Sequence, residues 1–374
     1  MLKKFLNNLK NFFLKFKEIS NINQSKPRFV FYSESKAYLK YGYPILQHLS
    51  KKYPGEVYYV SSDINDKVSD LDVINIHIGP GFFLQYFFKS IVTDNLFMTL
   101  TDLNNSIIKR NNFVKNYIYF FHGAVSTTRI YTSTAFDNYD TILCNGEYQI
   151  KEIRKREELD NLKEKKLIKS GFFYFDYLKD KIKASHNASE ILVAPSWNKN
   201  RLNFINEDFE EILNNLLNCG YKVRFRPHPE TIKRSEKLMM SYKENFKHKN
   251  FIFDDNSENI EAMKNAKCLI TDNSGISIEY MMLFKKPVIY YSDFDKVHNE
   301  SFDMFKGLTP IEDTIKDKFG YEFNKHELNE IEKVINKAIT NFDKKEIDNF
   351  LKNNFYNYGN TIDYFDKNFS KICF

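Results

Sequence analysis

Residues Lys267–Tyr291 read KCLITDNSGISIEYMMLFKKPVIYY, and this stretch decides the fold. A short apolar run at Cys268–Thr271 predicts a buried strand, and Asp272–Gly275 predicts a tight turn. The turn leads into a predicted helix over Ser277–Phe284, and a second strand follows over Pro287–Tyr291. Short strands that alternate with helices are typical of a mostly parallel sheet with helices on both faces. The sequence therefore predicts an α/β fold.

The turn before the predicted helix is a candidate anion-binding site. A helix N-terminus presents backbone N–H groups and the positive end of the helix dipole, which together favour a phosphate. Asp272 can cap the helix or orient a ligand, and Glu279 lies within reach of a nucleotide ribose. The residues that we predict to bind a phosphorylated donor here are Asp272, Asn273, Ser274, Gly275, Ser277 and Glu279.

A second candidate site follows the predicted strand Lys222–Phe225, where the chain reads Arg226-Pro227-His228-Pro229. Open α/β sheets bind ligands beyond the carboxyl ends of their strands. Arg226 is a permanent cation whose planar fork fits phosphate oxygens, and the two prolines restrict the backbone around His228. The alternative interpretation is a solvated turn. Combined with the turn at Asp272–Gly275, however, the tetrad indicates a diphosphate site.

His122-Gly123 occupies a similar position after the apolar and aromatic strand predicted at Tyr117–Phe121. A histidine directly after a buried strand is well placed as a general base, and a glycine beside it lets the backbone approach a ligand. A histidine at a strand end is also often structural. Because His228 follows a strand elsewhere in the chain, we predict that His122 and His228 are the catalytic residues of one reaction centre.

The 374 residues are too many for one core and predict two Rossmann-like domains that face a cleft. The first domain is predicted at residues 21–180 and the second, which binds the nucleotide donor, at 185–326. Residues 327–374 are predicted to form helices that pack back on the first domain. Residues 1–20 are predicted to form a separate amphipathic helix.

The N-terminal segment 1–19 carries five lysines against one glutamate, Glu18. Its apolar residues recur with helical spacing, which predicts an apolar stripe opposite a basic face. Such a helix is suited to an anionic membrane surface. The alternative is a helix that packs on the protein's own core. The stripe is too apolar for a nucleic-acid-binding arm, so no nucleic-acid partner is expected.

Several classes of protein are excluded or disfavoured by composition. The chain has no predicted secretory signal and no apolar run of about 18–20 residues, so it is not expected to span a membrane. The four scattered cysteines indicate reduced thiols in a cytoplasmic protein. No zinc-ligand spacing and no P-loop are present, and Asp293-x-Asp295 is only a weak metal-binding pattern. We therefore predict no metal site.

A set of short motifs, in chain order, resembles a known family. They are HG at His122–Gly123, APSW at Ala194–Trp197, RPHP at Arg226–Pro229, TDNSGISIEY at Thr271–Tyr280 and KPVIYYSDFD at Lys286–Asp295. Their order and spacing resemble the CDP-glycerol glycerophosphotransferase family of teichoic-acid and capsule synthesis over roughly residues 115–300. The resemblance implies a two-domain nucleotide-transferase fold of the GT-B type.

The resemblance also implies roles for individual residues. His122 would be the base on the acceptor hydroxyl, and His228 with Arg226 would hold or protonate the donor diphosphate. Gly123 and Ser196 would join the donor-binding residues between Asp272 and Glu279. The donor would be a CDP-linked polyol and the acceptor a lipid-linked glycan at the inner membrane face, with no obligatory cofactor and a divalent cation only in support.

The chain departs from the family pattern at three places. Ala124-Val125-Ser126 stands where a proline and a lysine are usual, Asn198 stands where an arginine is usual, and Glu279 replaces an aspartate. The polyol donor therefore stays open, and so do three alternatives. These are a CMP-Kdo-dependent glycosyltransferase with Glu34 as its base, a UDP-sugar 2-epimerase, and a scaffold of the same fold without activity.

Overall fold

The computed structural model describes residues 2–179, 182, 188–197, 204–205, 208–256, 258–293 and 297–373, with side chains described from Phe12 onward. The chain divides into two units. Unit 1 comprises Met1–His122, Thr132–Tyr177 and Phe355–Phe374. Unit 2 comprises Gly123–Tyr131 and Leu178–Asn354.

Unit 1 is built on a seven-stranded sheet in which all neighbouring strands are parallel. Its strands are β1 (Phe29–Ser33), β2 (Val57–Ser61), β3 (Ile74–His77), β4 (Thr93–Met98), β5 (Val114–Phe120), β6 (Thr141–Cys144) and β7 (Lys166–Lys169). They lie in the order β3-β2-β1-β4-β5-β6-β7. Successive strands are therefore added in one direction from β1 to β3 and in the opposite direction from β4 to β7.

The helices of unit 1 flank this sheet, and those that begin at Lys36, Phe173, Thr361 and Phe369 contribute to a core of aromatic and aliphatic side chains. They are α1 (Leu2–Ser25), α2 (Lys36–Lys52), α3 (Phe82–Ser90), α4 (Glu147–Leu159), α5 (Phe173–Lys179), α14 (Thr361–Lys367) and α15 (Phe369–Ile372). The two C-terminal helices contribute Phe365 and Ile372 to the same core as Phe97 and Ile118 of the sheet. Residues distant in sequence therefore share one hydrophobic core.

Unit 2 contains a six-stranded parallel sheet. Its strands are β8 (Glu190–Val193), β9 (Lys222–Phe225), β10 (Phe251–Phe253), β11 (Ala266–Thr271), β12 (Val288–Tyr291) and β13 (Tyr321–Phe323). The order β10-β9-β8-β11-β12-β13 is the doubly wound order of a dinucleotide-binding sheet. In such sheets, ligands bind where the order reverses, here between β8 and β11.

The helices of unit 2 cover both faces of this sheet. They are α6 (Phe209–Asn218), α7 (Pro229–Arg234), α8 (Glu236–Asn245), α9 (Ile260–Asn265), α10 (Gly275–Phe284), α11 (Ile311–Phe319), α12 (Ile331–Asn341) and α13 (Lys344–Asn354), with short 3-10 helices at Phe302–Phe305 and Lys325–Glu330. The predicted α/β architecture with two parallel sheets is thereby confirmed.

The division of the chain differs from the predicted boundaries in two places. Residues 327–354 pack in unit 2 and not on the first domain, because Ile331, Ile335 and Ala338 of α12 lie in the unit 2 core. Only Phe355–Phe374 returns to unit 1. The segment Gly123–Tyr131, predicted within the first domain, also belongs to unit 2.

The N-terminal helix α1 is longer than predicted and ends at Ser25. Its second half packs on unit 1, since Ile19 and Ile22 are buried and the Phe16 ring lies 5.4 Å from that of Phe83 in α3. Phe13 nevertheless keeps 63% of its surface exposed, and Leu14 keeps 47%. Within the described part of the chain, no helix is long and apolar enough to cross a membrane.

Candidate functional site

The predicted donor-binding residues gather at the carboxyl edge of the unit 2 sheet. Ser196 follows β8, His228 follows β9 and Asp272 follows β11. Because β8 and β11 are the neighbours between which the strand order reverses, Ser196 and Asp272 flank the position where such sheets bind ligands. The sequence placed these residues at strand ends, and the topology places those ends side by side.

Ser196 and Asp272 are joined by two hydrogen bonds. The Ser196 backbone N–H donates to Asp272 Oδ1 at 2.7 Å, and its hydroxyl donates to Asp272 Oδ2 at 2.7 Å. Both residues are buried. Asp272 therefore fixes the loop after β8 to the loop after β11, a role that the sequence analysis did not assign to it.

The turn after β11 leads into α10, whose N-cap residue is Ser274. The Ser277 hydroxyl donates to the Ser274 carbonyl oxygen at 2.7 Å and the Ser277 N–H donates to the same oxygen at 3.0 Å. Ser277 thus closes the first turn of the helix through its hydroxyl. The first turn of a helix still presents N–H groups without partners inside the helix, as an anion site requires.

Arg226 is buried and held by two groups after the neighbouring strand β10. Its Nη1 lies 3.2 Å from Asp254 Oδ2, and its Nη2 donates to the Asn256 carbonyl oxygen at 2.8 Å. Asp254 is itself buried. The sequence analysis missed Asp254, although the strand-end rule that selected Arg226 also applies to a carboxylate directly after β10.

His228 is the N-cap of α7, and its Nδ1 accepts a hydrogen bond from the Glu230 N–H at 3.1 Å. A neutral imidazole whose Nδ1 accepts must carry its proton on Nε2, so the cap makes Nε2 a hydrogen-bond donor. The side chain is exposed, and its ring stacks on Trp197 at 6.3 Å with an interplanar angle of 29°. This arrangement suits donation to a phosphate oxygen.

Glu279 and Gly123 are two further predicted donor-binding residues. Glu279 lies in α10 and is buried. Gly123 does not adopt a positive φ, and a Cβ there would meet only Val125 side-chain atoms, at 3.6 Å and beyond. The fold therefore does not require glycine at position 123, and its role toward a ligand stays a prediction.

His122 follows β5 in unit 1 and is packed against aromatic rings. The centroid of its ring lies 5.4 Å from that of Tyr38, with the planes nearly perpendicular, and 6.1 Å from that of Tyr41. Desolvation disfavours the charged imidazolium and lowers the pKa of His122 to about 4. His122 is therefore neutral near pH 7 and able to accept a proton.

The remaining candidate groups are acidic side chains that the sequence suggested as a base or as metal ligands. Glu34 follows β1, and burial raises the pKa of its carboxyl group. Asp293 accepts a hydrogen bond from the Lys325 N–H at 2.9 Å, whereas Asp295 lies outside the described residues. Among the described side chains, no group of three His, Cys, Asp or Glu residues is placed to hold a metal ion.

Part of the chain is similar to a known family. Residues 126–304 match the model of the CDP-glycerol:poly(glycerophosphate) glycerophosphotransferase family. The matched segment contains Ser196, Arg226, His228 and the whole stretch from Asp272 to Glu279, and it begins just after His122 and Gly123. No curated protein matches the chain.

Solved structures share the fold across nearly the whole chain. A histidine-to-asparagine variant of the wall teichoic acid polymerase TagF is similar with a TM-score of 0.61 and 16% identity, covering 99% of this chain and 97% of that one. The UDP-GlcNAc 2-epimerase of Methanocaldococcus jannaschii is similar with a TM-score of 0.56 and 13% identity, covering 92% and 99%. The UDP-GlcNAc 2-epimerase of Neisseria meningitidis gives 0.53 and 12%, covering 92% and 99%.

The family match confirms the resemblance predicted from the motifs. Over residues 126–304 the chain is similar to that family, which indicates a CDP-glycerol glycerophosphotransferase-like enzyme. Its fold is GT-B-like. The structural neighbours contribute only the fold, since polymerase and epimerases share it at low identity.

Proposed function

We propose that this enzyme transfers glycerol phosphate, or a related polyol phosphate, from a CDP-linked donor to a membrane-associated glycan and releases CMP. The polymer would be a capsule or teichoic-acid-like polysaccharide. One observation carries the proposal: Arg226, His228 and the N-terminus of α10 follow the carboxyl ends of strands in the unit 2 sheet, inside the segment that matches the glycerophosphotransferase family.

The donor diphosphate needs positive charge and hydrogen-bond donors, and unit 2 supplies both. Arg226 is held at the carboxyl edge by Asp254 and Asn256, so it loses little conformational freedom when it binds phosphate. His228 presents Nε2–H, and the α10 N-terminus adds backbone N–H groups. In the proposal, Glu279 binds the ribose and Ser196 and Asn273 line the donor site.

The proposed reaction is a displacement at the β-phosphorus of the donor. The acceptor oxygen forms a bond to this phosphorus while the bond to the bridging oxygen breaks, and CMP leaves with that oxygen. The hydroxyl proton passes to the neutral imidazole of His122. Arg226, His228 and the helix N-terminus stabilise the charge that develops on the leaving CMP, which is the larger contribution in most phosphoryl transfers.

A donor panel tests the proposal. The enzyme is incubated with a lipid extract and CDP-glycerol, CDP-ribitol, CMP-Kdo or UDP-GlcNAc in turn, and release of CMP or UDP is scored. CMP released from a CDP-linked polyol supports phosphotransfer. Release of CMP from CMP-Kdo would instead indicate a glycosyltransferase, and conversion of UDP-GlcNAc would indicate an epimerase. Neither result would change the assignment of the fold.

The chain provides a matched control for the histidine variants. His248 accepts a hydrogen bond from the Asn250 N–H at 3.2 Å through Nδ1, as His228 does from Glu230, but it lies on an exposed loop before β10. We expect His122→Asn and His228→Asn to lose activity and His248→Asn to retain it. Equal losses in all three variants would contradict a specific role for either predicted catalytic histidine.

The acceptor side of the proposal places the enzyme on the inner face of the cell membrane, as a peripheral cytoplasmic protein. The lysine-rich segment 1–19 would contact anionic lipids, at roughly 1 kcal/mol per basic residue near the surface. The exposed side chains of Phe13 and Leu14, next to the partly exposed Phe12 and Phe82, would enter the interface.

Vesicle co-sedimentation with substituted full-length protein tests the membrane contact. Phe13→Ser combined with Leu14→Ser removes exposed apolar surface without disturbing the buried residues Ile19 and Ile22. Phe113→Ser is the matched control, because Phe113 is 61% exposed in the same unit but lies outside α1. The double variant should no longer pellet with phosphatidylglycerol vesicles. If it binds as well as the Phe113→Ser control, the proposed contact is wrong.

A further inference from the structure

Trp197, the single tryptophan of the chain, lies in unit 2 in the loop after β8. The residue before it is fixed, because Ser196 donates two hydrogen bonds to Asp272 in the loop after β11. The hydrophobic core of unit 2 takes Val193 from β8, whereas Trp197 beyond the strand is only half-buried. Packing of the core therefore does not account for a large aromatic ring at position 197.

The imidazole of His228 lies against the indole of Trp197. The two ring centroids are 6.3 Å apart and the planes meet at 29°, within the range of offset stacking that aromatic pairs favour. His228 Nδ1 also accepts the Glu230 N–H at 3.1 Å. One hydrogen bond fixes a single atom of the ring and still lets the ring pivot about it. The contact with Trp197 restrains the plane of the ring as well.

The indole is itself held by two residues other than His228. The guanidinium carbon of Arg234, the last residue of α7, lies 5.2 Å from the centroid of the Trp197 ring, a cation–π distance. Arg234 Nε in turn donates to Glu230 Oε2 at 3.0 Å. The ring of His298 lies 5.8 Å from that of Trp197, with the planes at 76°. The indole is thus a restrained surface against which the imidazole rests.

We propose that Trp197 is a positioning residue for His228: the indole holds the plane of the imidazole, so that Nε2–H keeps one direction for a phosphate oxygen of the donor. This inference rests on the proposed function, because it assigns His228 to the donor diphosphate. A hydrogen-bond donor that is ordered before the substrate arrives loses less conformational freedom on binding. Trp197 does not act on the reacting atoms itself.

NMR of the histidine rings tests this role without requiring activity. In protein labelled with ¹³C in its histidine rings, at about pH 8, the Cδ2 signal of each neutral ring reports which nitrogen carries the proton. The His228 signal is assigned by its loss in His228→Asn. In the parent protein the bond from the Glu230 N–H keeps the proton on Nε2. In Trp197→Leu the ring should leave this bond for part of the time, and its signal should move toward a mixture of tautomers.

Two comparisons make the result specific. Trp197→Phe retains an aromatic face and should keep the parent His228 signal. His248 is an internal control in the same spectra, since its Nδ1 accepts the Asn250 N–H at 3.2 Å in a loop before β10. A change at His228 but not at His248 in Trp197→Leu supports the proposal. An unchanged His228 signal, or equal changes at both histidines, would overturn it.

A double-mutant cycle tests whether Trp197 acts through the imidazole. With CDP-glycerol as donor, kcat of Trp197→Leu should fall about threefold to tenfold, less than that of His228→Asn. Adding Trp197→Leu to His228→Asn should cause no further loss, because the group that it positions is already absent. Equal losses in both backgrounds would contradict a positioning role. If the parent protein does not turn over CDP-glycerol, the proposed function fails, while the NMR comparison still decides the role of Trp197.

If Trp197→Leu does not fold, Arg234→Gln replaces it. The Arg234 side chain is 56% exposed, so its substitution spares the core while removing the cation from the indole. Lys233→Gln is the matched control, because Lys233 also pairs with Glu230, at 3.9 Å. A change of the His228 signal in Arg234→Gln alone supports the proposal. Identical His228 signals in the parent protein and both variants would overturn it.

Discussion

His122 in unit 1 and His228 in unit 2 both follow a strand of a parallel sheet, but their surroundings differ. His122 lies against Tyr38 and Tyr41, and desolvation keeps it neutral. His228 is exposed and caps a helix, so its proton is directed to Nε2. A histidine that follows a strand is thus suited to accept a proton in unit 1 and to donate a hydrogen bond in unit 2.

The largest expected effect is on the proton acceptor. Replacing His122 by asparagine removes the only proposed base, and we expect kcat for CMP release to fall by about 10²–10⁴-fold. Donor KM should change little, because the proposed donor contacts lie in unit 2. Steady-state kinetics with varied CDP-glycerol measure both quantities. A raised KM at unchanged kcat would instead indicate that His122 binds the donor.

The neutral state of His122 also predicts how stability depends on pH. The folded pKa of about 4 lies below the unfolded value of about 6.5, so between these values the unfolded chain binds a proton that the folded chain does not. This contribution to the free energy of unfolding, on the order of 3 kcal/mol, is complete above pH 6.5 and is lost as the pH falls toward 4.

Urea unfolding at several pH values between 5 and 7.5 measures this contribution. The parent protein should lose stability on acidification across this window, and His122→Asn should lose less over the same interval. The difference between the two curves isolates the histidine from other titrating groups. Parallel curves would show that His122 is as well hydrated in the folded protein as in the unfolded chain.

Substitution of the hydrogen-bond donor should have a smaller effect. Asparagine is a favourable N-cap residue, so His228→Asn keeps the start of α7 intact while removing Nε2. We expect kcat to fall by about 10–10²-fold with the melting temperature unchanged. His228→Ala should add a loss of stability of about 1 kcal/mol from the missing cap. If both variants lose only stability, His228 is a helix cap and nothing more.

The smallest expected effect is that of metal removal. The proposed chemistry assigns charge stabilisation to Arg226, His228 and the α10 N-terminus, so EDTA should reduce the rate by less than about twofold. Mg²⁺ added back to the dialysed enzyme measures the supporting contribution. A complete loss that Mg²⁺ restores would contradict the proposal that no metal is obligatory.

Local sequence patterns predicted the parts of the fold that depend on interactions between residues close together in the sequence. Apolar runs ended by polar or glycine-containing turns located β9, β11 and the start of α10 closely, since burial and turn chemistry act over a few residues. The strand-end rule then selected Arg226, His228 and Asp272. It also applied to Asp254, which was missed because a lone carboxylate after a short strand has no distinctive spacing.

Contacts between distant segments could not be predicted in this way. Ser126 and Glu312 are 186 positions apart, and nothing in either neighbourhood indicates that the two meet. The pairing of Ser196 with Asp272 likewise depends on β8 and β11 being adjacent. The C-terminal helices were assigned to the wrong unit up to Asn354, because an amphipathic stripe predicts burial but not the surface on which the helix packs.

The central claim is that phosphorus, not carbon, is attacked, with His122 as the base. A single-turnover experiment with CDP-glycerol carrying ³²P in the β-phosphate tests it most directly. The account predicts that the label passes to the lipid-linked acceptor, that the released CMP is unlabelled, and that transfer is abolished in His122→Asn but not in His248→Asn. Label retained in a released nucleoside diphosphate would contradict phosphotransfer.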